Sequence, residues 1–238
     1  MAKKHNDGYL SAKESRRISK ENRRITNELE KKRKRKNVPE AEYLTQMHDP
    51  RNAVEFDNLH TYFFTDTGVV KSVDGVSFSV PIGKTVGVVG ESGCGKSVTS
   101  LSLMQLLQRP QGQVVEGEIR LNLGNKAYDV TKTPDSVMQH LRGNIVSMIF
   151  QELCLVPDMS VAENIFIGRE PKIGKTGIVD RKKLIRQTQE LLDSFEITFL
   201  RPTDSLRGMS TAKMQMIEIC KALSYHSKLI IMDEPTSS

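Results

Sequence analysis

Long apolar runs are missing. Nowhere in the 238 residues do eighteen apolar residues stand together, and no apolar leader precedes the first charges. The chain is therefore expected neither to span nor to cross a membrane unaided. Cysteine is scarce: Cys94, Cys154 and Cys220 are scattered, odd in number and without metal-ligand spacing. That pattern argues against a disulfide framework and for reduced thiols in a cytoplasmic protein. What remains is an ordinary globular composition, 37% hydrophobic and 27% charged, long enough for one substantial core with or without a smaller lobe.

The net charge of +6 is unevenly spread. Residues 1–37 hold fourteen Lys/Arg against five Asp/Glu, a net of +9, which leaves −3 for residues 38–238. The segment from Ser11 to Lys36 is polar with a thin apolar stripe of Ile18, Ile25 and Leu29, and it ends in an unbroken basic run, 31–36. Residues 1–53 are expected to form a basic, disordered extension, at most a frayed helix. Such a run attracts nucleic acid or an anionic membrane face.

One stretch organises the rest. Gly90, Glu91, Ser92, Gly93, Cys94, Gly95, Lys96 and Ser97 fit G-x-x-x-x-G-K-[ST] at every fixed position. Small residues there let backbone N–H groups turn inward on phosphates, and the loop feeds a helix N-terminus whose dipole favours anions. Lys96 then reaches the β/γ-phosphates of a nucleotide, Ser97 holds Mg²⁺, and Val98 continues the cradle. The order around it fits: Thr85–Val89 reads as a buried strand, and Val98 to Arg109 as a helix with Val98, Leu101, Met104 and Leu107 on one side.

Ahead of the loop, Phe56 to Phe64 and then Val76, Phe78 and Val80 read as antiparallel strands, with Pro81-Ile82-Gly83-Lys84 turning into the loop strand. Glu116 to Leu123 alternates again. Beyond it, Ile145 to Phe150 is a buried strand that delivers Gln151. Asp180 is expected to cap a helix with Leu184, Thr188, Leu191, Leu192 and Phe195 inward, and Ser210 another with Met216, Ile219, Cys220 and Leu223 inward. Leu229 to Met232 is the last strand and ends in Asp233-Glu234. Apolar residues followed by two carboxylates, downstream of a phosphate loop, form the other half of a nucleotide-hydrolysis site: Asp233 in the Mg²⁺ shell, Glu234 as general base.

These pieces in this order resemble the ATP-binding cassette (ABC) transporter ATPases over residues 54–238. The resemblance implies an α/β P-loop NTPase (RecA-like) core with an antiparallel β subdomain (together 54–151), a helical subdomain (about 152–225) and the last core strand (228–238), truncated at its C-terminal end. It implies that Gln151 contacts Mg²⁺ and the attacking water, and that an aromatic of the first antiparallel strand stacks on adenine, Phe63 by offset with Tyr62 as its neighbour. The family signature Leu-Ser-Gly-Gly-Gln aligns with Met209-Ser210-Thr211-Ala212-Lys213. Only Ser210 is kept to meet the γ-phosphate of ATP on an opposite subunit. The family's bridging loop and γ-phosphate histidine have no counterpart before Ser238, so poor hydrolysis by the chain alone is expected.

Residues up to about Glu152 resemble ATPases of oligopeptide and dipeptide importers. Those after Gln151 resemble ATPases of sugar importers. The implied function is the ATP-hydrolysing, energy-coupling subunit of an importer on the cytoplasmic face of the membrane. Its implied partners are transmembrane permease subunits, a second ATPase subunit or domain in a head-to-tail dimer and, indirectly, an extracytoplasmic solute-binding protein. Nucleic acid is not expected as a partner. The alternatives are a soluble cassette ATPase acting on nucleic acid or ribosomes, supported by the basic tail alone, and a hydrolysis-deficient nucleotide-binding fragment.

Overall fold

In a computed structural model, residues 11–233 are described. The chain divides into two units, 1–140 and 141–238.

The first unit begins with helix α1 (Ala12–Arg33), where disorder was expected. Ser11 and Glu14 form a capping box at its start, and Lys31, Lys32 and Arg33 complement the dipole at its end. Its fully buried residues are polar, Asn22, Thr26 and Glu30, while the apolar Ile18, Ile25 and Leu29 are half-buried. Asn22 Nδ2 donates to the Thr65 and Gly68 carbonyls at 2.7 and 3.2 Å, and Ser19 Oγ to Asp66 at 2.6 Å. Glu30 accepts from Gln113 at 3.1 Å and from Arg109 at 3.3 Å. Composition misjudged this segment because the docking runs through hydrogen bonds, which an apolar count does not register.

Order continues from there, earlier than the expected start at Val54. A 3₁₀ turn (Glu40–Glu42) leads to β1 (Leu44–Thr45), β2 (Asn52–Thr65) and β3 (Gly68–Pro81). After α2 (Lys96–Leu103) come β4 (Gly112–Asn122), β5 (Ala127–Asp129) and α3 (Asp135–Leu141). The five strands make an antiparallel sheet in the order β1-β5-β4-β2-β3. Val54, Phe56, Leu59, Ile119 and Leu121 are buried on it, and Phe56 stacks on its cross-strand partner Phe78 with centroids 4.4 Å apart. The antiparallel reading of these three long segments holds.

Two expectations fail here. Thr85–Val89 joins no ladder, and Val86, Val88 and Val89 are 40%, 52% and 91% exposed. Its β-branched run has strand propensity, but a buried parallel strand exists only where neighbours accept its backbone, and the sheet of this unit gives it none among the described residues. The helix after the loop also stops at Leu103 rather than Arg109. Gln105 adopts a left-handed φ of 51°, and Leu106 N–H returns to Leu101 O at 2.9 Å. The Gln105 amide is tied to the Val130 and Thr133 carbonyls, which fixes that break.

The second unit holds β6 (Val146–Ile149) and β7 (Leu229–Met232), paired in parallel from Val146↔Leu229 to Ile149↔Met232. Both strands fall where the sequence puts them. Between them lie α4 (Val161–Ile165), α5 (Arg181–Ser194) and α6 (Thr211–Leu223). They close on a core that includes Val161, Ile165, Leu192, Leu200, Ile217 and Cys220. Asp180 caps α5 by accepting the Lys183 N–H at 3.0 Å, as expected. Ser210 stands at the N-cap of α6, yet its side chain makes no capping bond, and Phe195, read as inward, ends α5 at 45% exposure.

Candidate nucleotide site

The phosphate loop hangs between the end of β3 and the start of α2. Lys96 is the first residue of α2, and its ammonium donates to the Gly90 and Glu91 carbonyls, both at 2.9 Å, tying the two ends of the loop together. Gly95 sits at the N-cap with φ 97°, and a Cβ there would lie 2.3 Å from the Ser72 carbonyl. Only glycine fits that backbone and that approach. Ser72 is the extra residue of a bulge: Val73 faces Thr61 and Lys71 faces Tyr62, so Ser72 is left between two partners. Thr99 closes the first turn, its N–H and Oγ1 reaching Gly95 O at 2.9 and 3.0 Å. The buried Thr61 hydroxyl meets Ser102 Oγ at 2.9 Å, clamping α2 to β2. Thr61, Ser72, Thr99 and Ser102 thus position the loop. Sequence reasoning missed them, because no motif marks a bulge or a hydroxyl clamp.

The residues present fit a phosphate. Glu91, Ser92, Gly93 and Cys94 are exposed, Ser97 and Val98 are half-buried, and a Cβ on Gly93 would meet nothing within 4 Å, leaving space at the loop's crest. The first N–H groups of any α-helix lack an intrahelical acceptor, and here they emerge at this loop. The Lys96 ammonium is held by neutral carbonyls, for which phosphate oxygens would be stronger, charge-assisted acceptors. For Mg²⁺, the described residues hold no cluster of three or more His, Cys, Asp or Glu.

Phe63 lies opposite Val70 and Gly112, and its ring edge would be 2.9 Å from a Cβ on Gly112. By strand alternation it shares the side of β2 that carries Thr61. Tyr62 points to the other side, where its hydroxyl donates to Asp74, Lys71 Nζ lies 5.1 Å from its ring centroid, and His60 Nδ1 meets Asp74 at 2.8 Å. Hydrogen bonds from Tyr62 first, then His60, hold the Asp74 carboxyl down at about 2.

In the second unit, Gln151 and Asp233 follow the carboxyl ends of adjacent strands. Asp233 N–H donates to Ile149 O at 3.0 Å, and Gln151 lies two residues beyond Ile149. Ligands of open α/β sheets bind at such ends. The segment after Gln151 is held from both sides: Cys154 N–H donates to Glu218 on α6 at 2.9 Å, and the buried Asn164 side chain bonds Val156 N–H and carbonyl at 2.7 and 3.0 Å. Ser210 opens α6 with Thr211 and Ala212 exposed beside it. Glu234 lies outside the described residues. Cys220 is buried, which pushes its thiol up to about 11 and leaves it inert.

Comparison with known proteins adds identity to this geometry. The ABC transporter family model matches residues 73–237. A putative ribose/galactose/methyl galactoside import ATP-binding protein of Halalkalibacterium halodurans is 44% identical over 171 residues, 71% of this chain and 30% of that protein. The arabinose import ATP-binding protein of Mannheimia succiniciproducens is 37% identical over 185 residues, 78% of this chain and 33% of that one. The chain thus spans about a third of the length of these relatives. Among solved structures, a nucleotide-free ATP-binding cassette from an ABC transporter superposes with a TM-score of 0.60 at 24% identity, covering 79% of this chain and 70% of that one. A dimeric cassette in a post-hydrolysis state with ADP and Pi gives 0.61 at 20% identity, covering 77% and 75%. These likenesses carry the cassette fold. The relatives are named for sugar import, and the peptide-importer resemblance of residues up to 152 finds no support in them. With its family model spanning the phosphate loop and both strand ends, the chain belongs to the ABC transporter family.

Proposed function

We propose that this chain is the ATP-binding part of the energy-coupling subunit of an ABC importer, of the sugar type its relatives are named for. The observation that carries the reading is Lys96 at the head of α2, its ammonium held across the loop by the Gly90 and Glu91 carbonyls. In this reading Lys96 and the loop N–H groups bind the β/γ-phosphates, and Phe63 stacks on adenine. Ser97, Gln151 and Asp233 are the proposed Mg²⁺ ligands, and Glu234 takes the proton of the attacking water. Bound Mg²⁺ neutralises charge that develops on the phosphate oxygens. Ser210 meets the γ-phosphate of a second subunit in a head-to-tail dimer; a structural neighbour is itself dimeric.

The same reading puts the protein at the cytoplasmic face of a membrane, on permease subunits served by an extracytoplasmic solute-binding protein. No described helix is long and apolar enough to cross a membrane, which suits a peripheral subunit. The test is reconstitution with the permease subunits of its source. Assembly with sugar permease subunits is expected; assembly with peptide permeases only contradicts the reading.

A further inference from the structure

The cations of α1 that take no part in docking form a surface of their own. At 3.6 residues per turn, Lys13, Arg16, Arg17, Lys20, Arg23 and Arg24 fall within an arc of about 120°, and Lys31 extends it to about 27 Å in length. Every charged residue in that arc is a cation, and all seven are exposed. Glu14, Glu21 and Glu28 sit together on one flank. The far side carries Asn22 and Thr26, which seat the helix, and Glu30 borders the other edge of the arc but is buried and paired with Arg33 and Arg109. One ion pair borders the ridge, Arg24–Glu21 at 2.8 Å, with both side chains more than half exposed, so water screens it. Folding leaves the ridge exposed, with Asp66 the carboxylate that shares a cavity with Arg16, Lys20 and Arg23, and residues 38–238 are net acidic.

We propose that this ridge docks the chain on an anionic lipid surface, an inference that rests on the membrane-peripheral reading above. Charge complementarity names a polyanion, and three features favour a membrane over nucleic acid. No aromatic residue occurs from Ser11 to Lys36 to stack on bases. A helix seated along one side presents about a third of its girth, which fits a plane better than a groove that admits a whole helix. The arc holds no apolar residue, so contact is with headgroups, without insertion, and salt-sensitive.

The experiment is co-sedimentation of the full chain with phosphatidylcholine vesicles and with vesicles that also contain phosphatidylglycerol. The account expects at least about ten-fold tighter binding to the anionic vesicles at low salt, falling as salt rises. Replacing Arg16, Arg17, Arg23 and Arg24 by Gln should weaken that binding at least about ten-fold while helical circular dichroism and ATP affinity stay unchanged. Replacing the same four by Lys should keep it, which also guards against loss through misfolding. Equal binding to both vesicle types, undiminished binding by the Gln variant, loss in the Lys variant, or displacement from vesicles by substoichiometric duplex RNA would each overturn the proposal. Failure of the importer reading would appear in the permease assay, independently of vesicle binding.

Discussion

The phosphate loop and the strand ends that carry Gln151 and Asp233 are held by different means. The phosphate loop is fixed by short-range contacts inside the first unit: Lys96 to its own loop carbonyls, Gly95 against the Ser72 bulge, Thr61 to Ser102. Gln151 and Asp233 are fixed by a four-residue parallel ladder whose strands lie some eighty residues apart in sequence, and by a helical core that sets where those strands end. The loop therefore takes its geometry from contacts within the first unit, part of them local and part from β2 and β3. The strand ends inherit theirs from packing, and a perturbation within either unit should be felt mainly in that unit.

The largest break in this contrast is expected from Gly95→Ala. It places a Cβ at positive φ and 2.3 Å from Ser72 O, so the loop must leave β3. ATP affinity should fall at least about 100-fold, since the backbone cradle and the Lys96 reach are lost together, with little change in the β-sheet signal of circular dichroism. Calorimetric titration measures the first, and an affinity within about three-fold of wild type would contradict it.

Ile217→Ala should act the other way. It opens a cavity beneath α6 in the second unit and should lower stability in urea by about 2–5 kcal/mol, while ATP affinity stays close to wild type in buffer.

A smaller effect is expected from Glu30→Ala, which leaves the mostly buried Arg109 without its carboxylate and should cost about 1–3 kcal/mol. The same group predicts an acid limit. Burial pushes the Glu30 carboxyl up, but hydrogen bonds from Arg33, Gln113 and Lys34 outweigh it and hold it at about 2, below its ordinary 4.5. A depressed carboxylate stabilises above its unfolded value, so the docking of α1 should be complete above pH 4.5 and fade as pH falls toward 2. Hydrogen exchange of α1 amides against pH checks this; protection unchanged at pH 2.5 would contradict it.

The smallest effect sharpens the contrast within the second unit. Ser160, whose hydroxyl caps α4 in a capping box, should cost about 1 kcal/mol on replacement by Ala, whereas Ser210→Ala should cost under about 0.5 kcal/mol, because Ser210 caps nothing through its side chain.

Legibility in the sequence followed the same division. The loop could be read residue by residue because its chemistry is local: glycine at a positive φ, lysine at a helix start. The hairpin β2–β3 could be read because its partners adjoin in sequence, and β6 and β7 because short apolar runs, broken in β6 only by Ser147, end in polar residues. Thr85–Val89 carries the same pattern without a ladder, so propensity could not decide it. The helix α1 was misread because its seat is Asn22, Ser19 and Glu30, residues that composition assigns to solvent. Phe63 and Tyr62 were indistinguishable by type; strand alternation separates them, with Tyr62 committed to Asp74.

The central claim is that Lys96 and its loop bind the phosphates of ATP. Calorimetric titration of ATP with Mg²⁺ into the full chain and into Lys96→Ala tests it most directly. The account predicts measurable binding by the wild-type chain and at least about a 100-fold loss in the variant, about 2.7 kcal/mol or more. Equal affinity in the two proteins would contradict it.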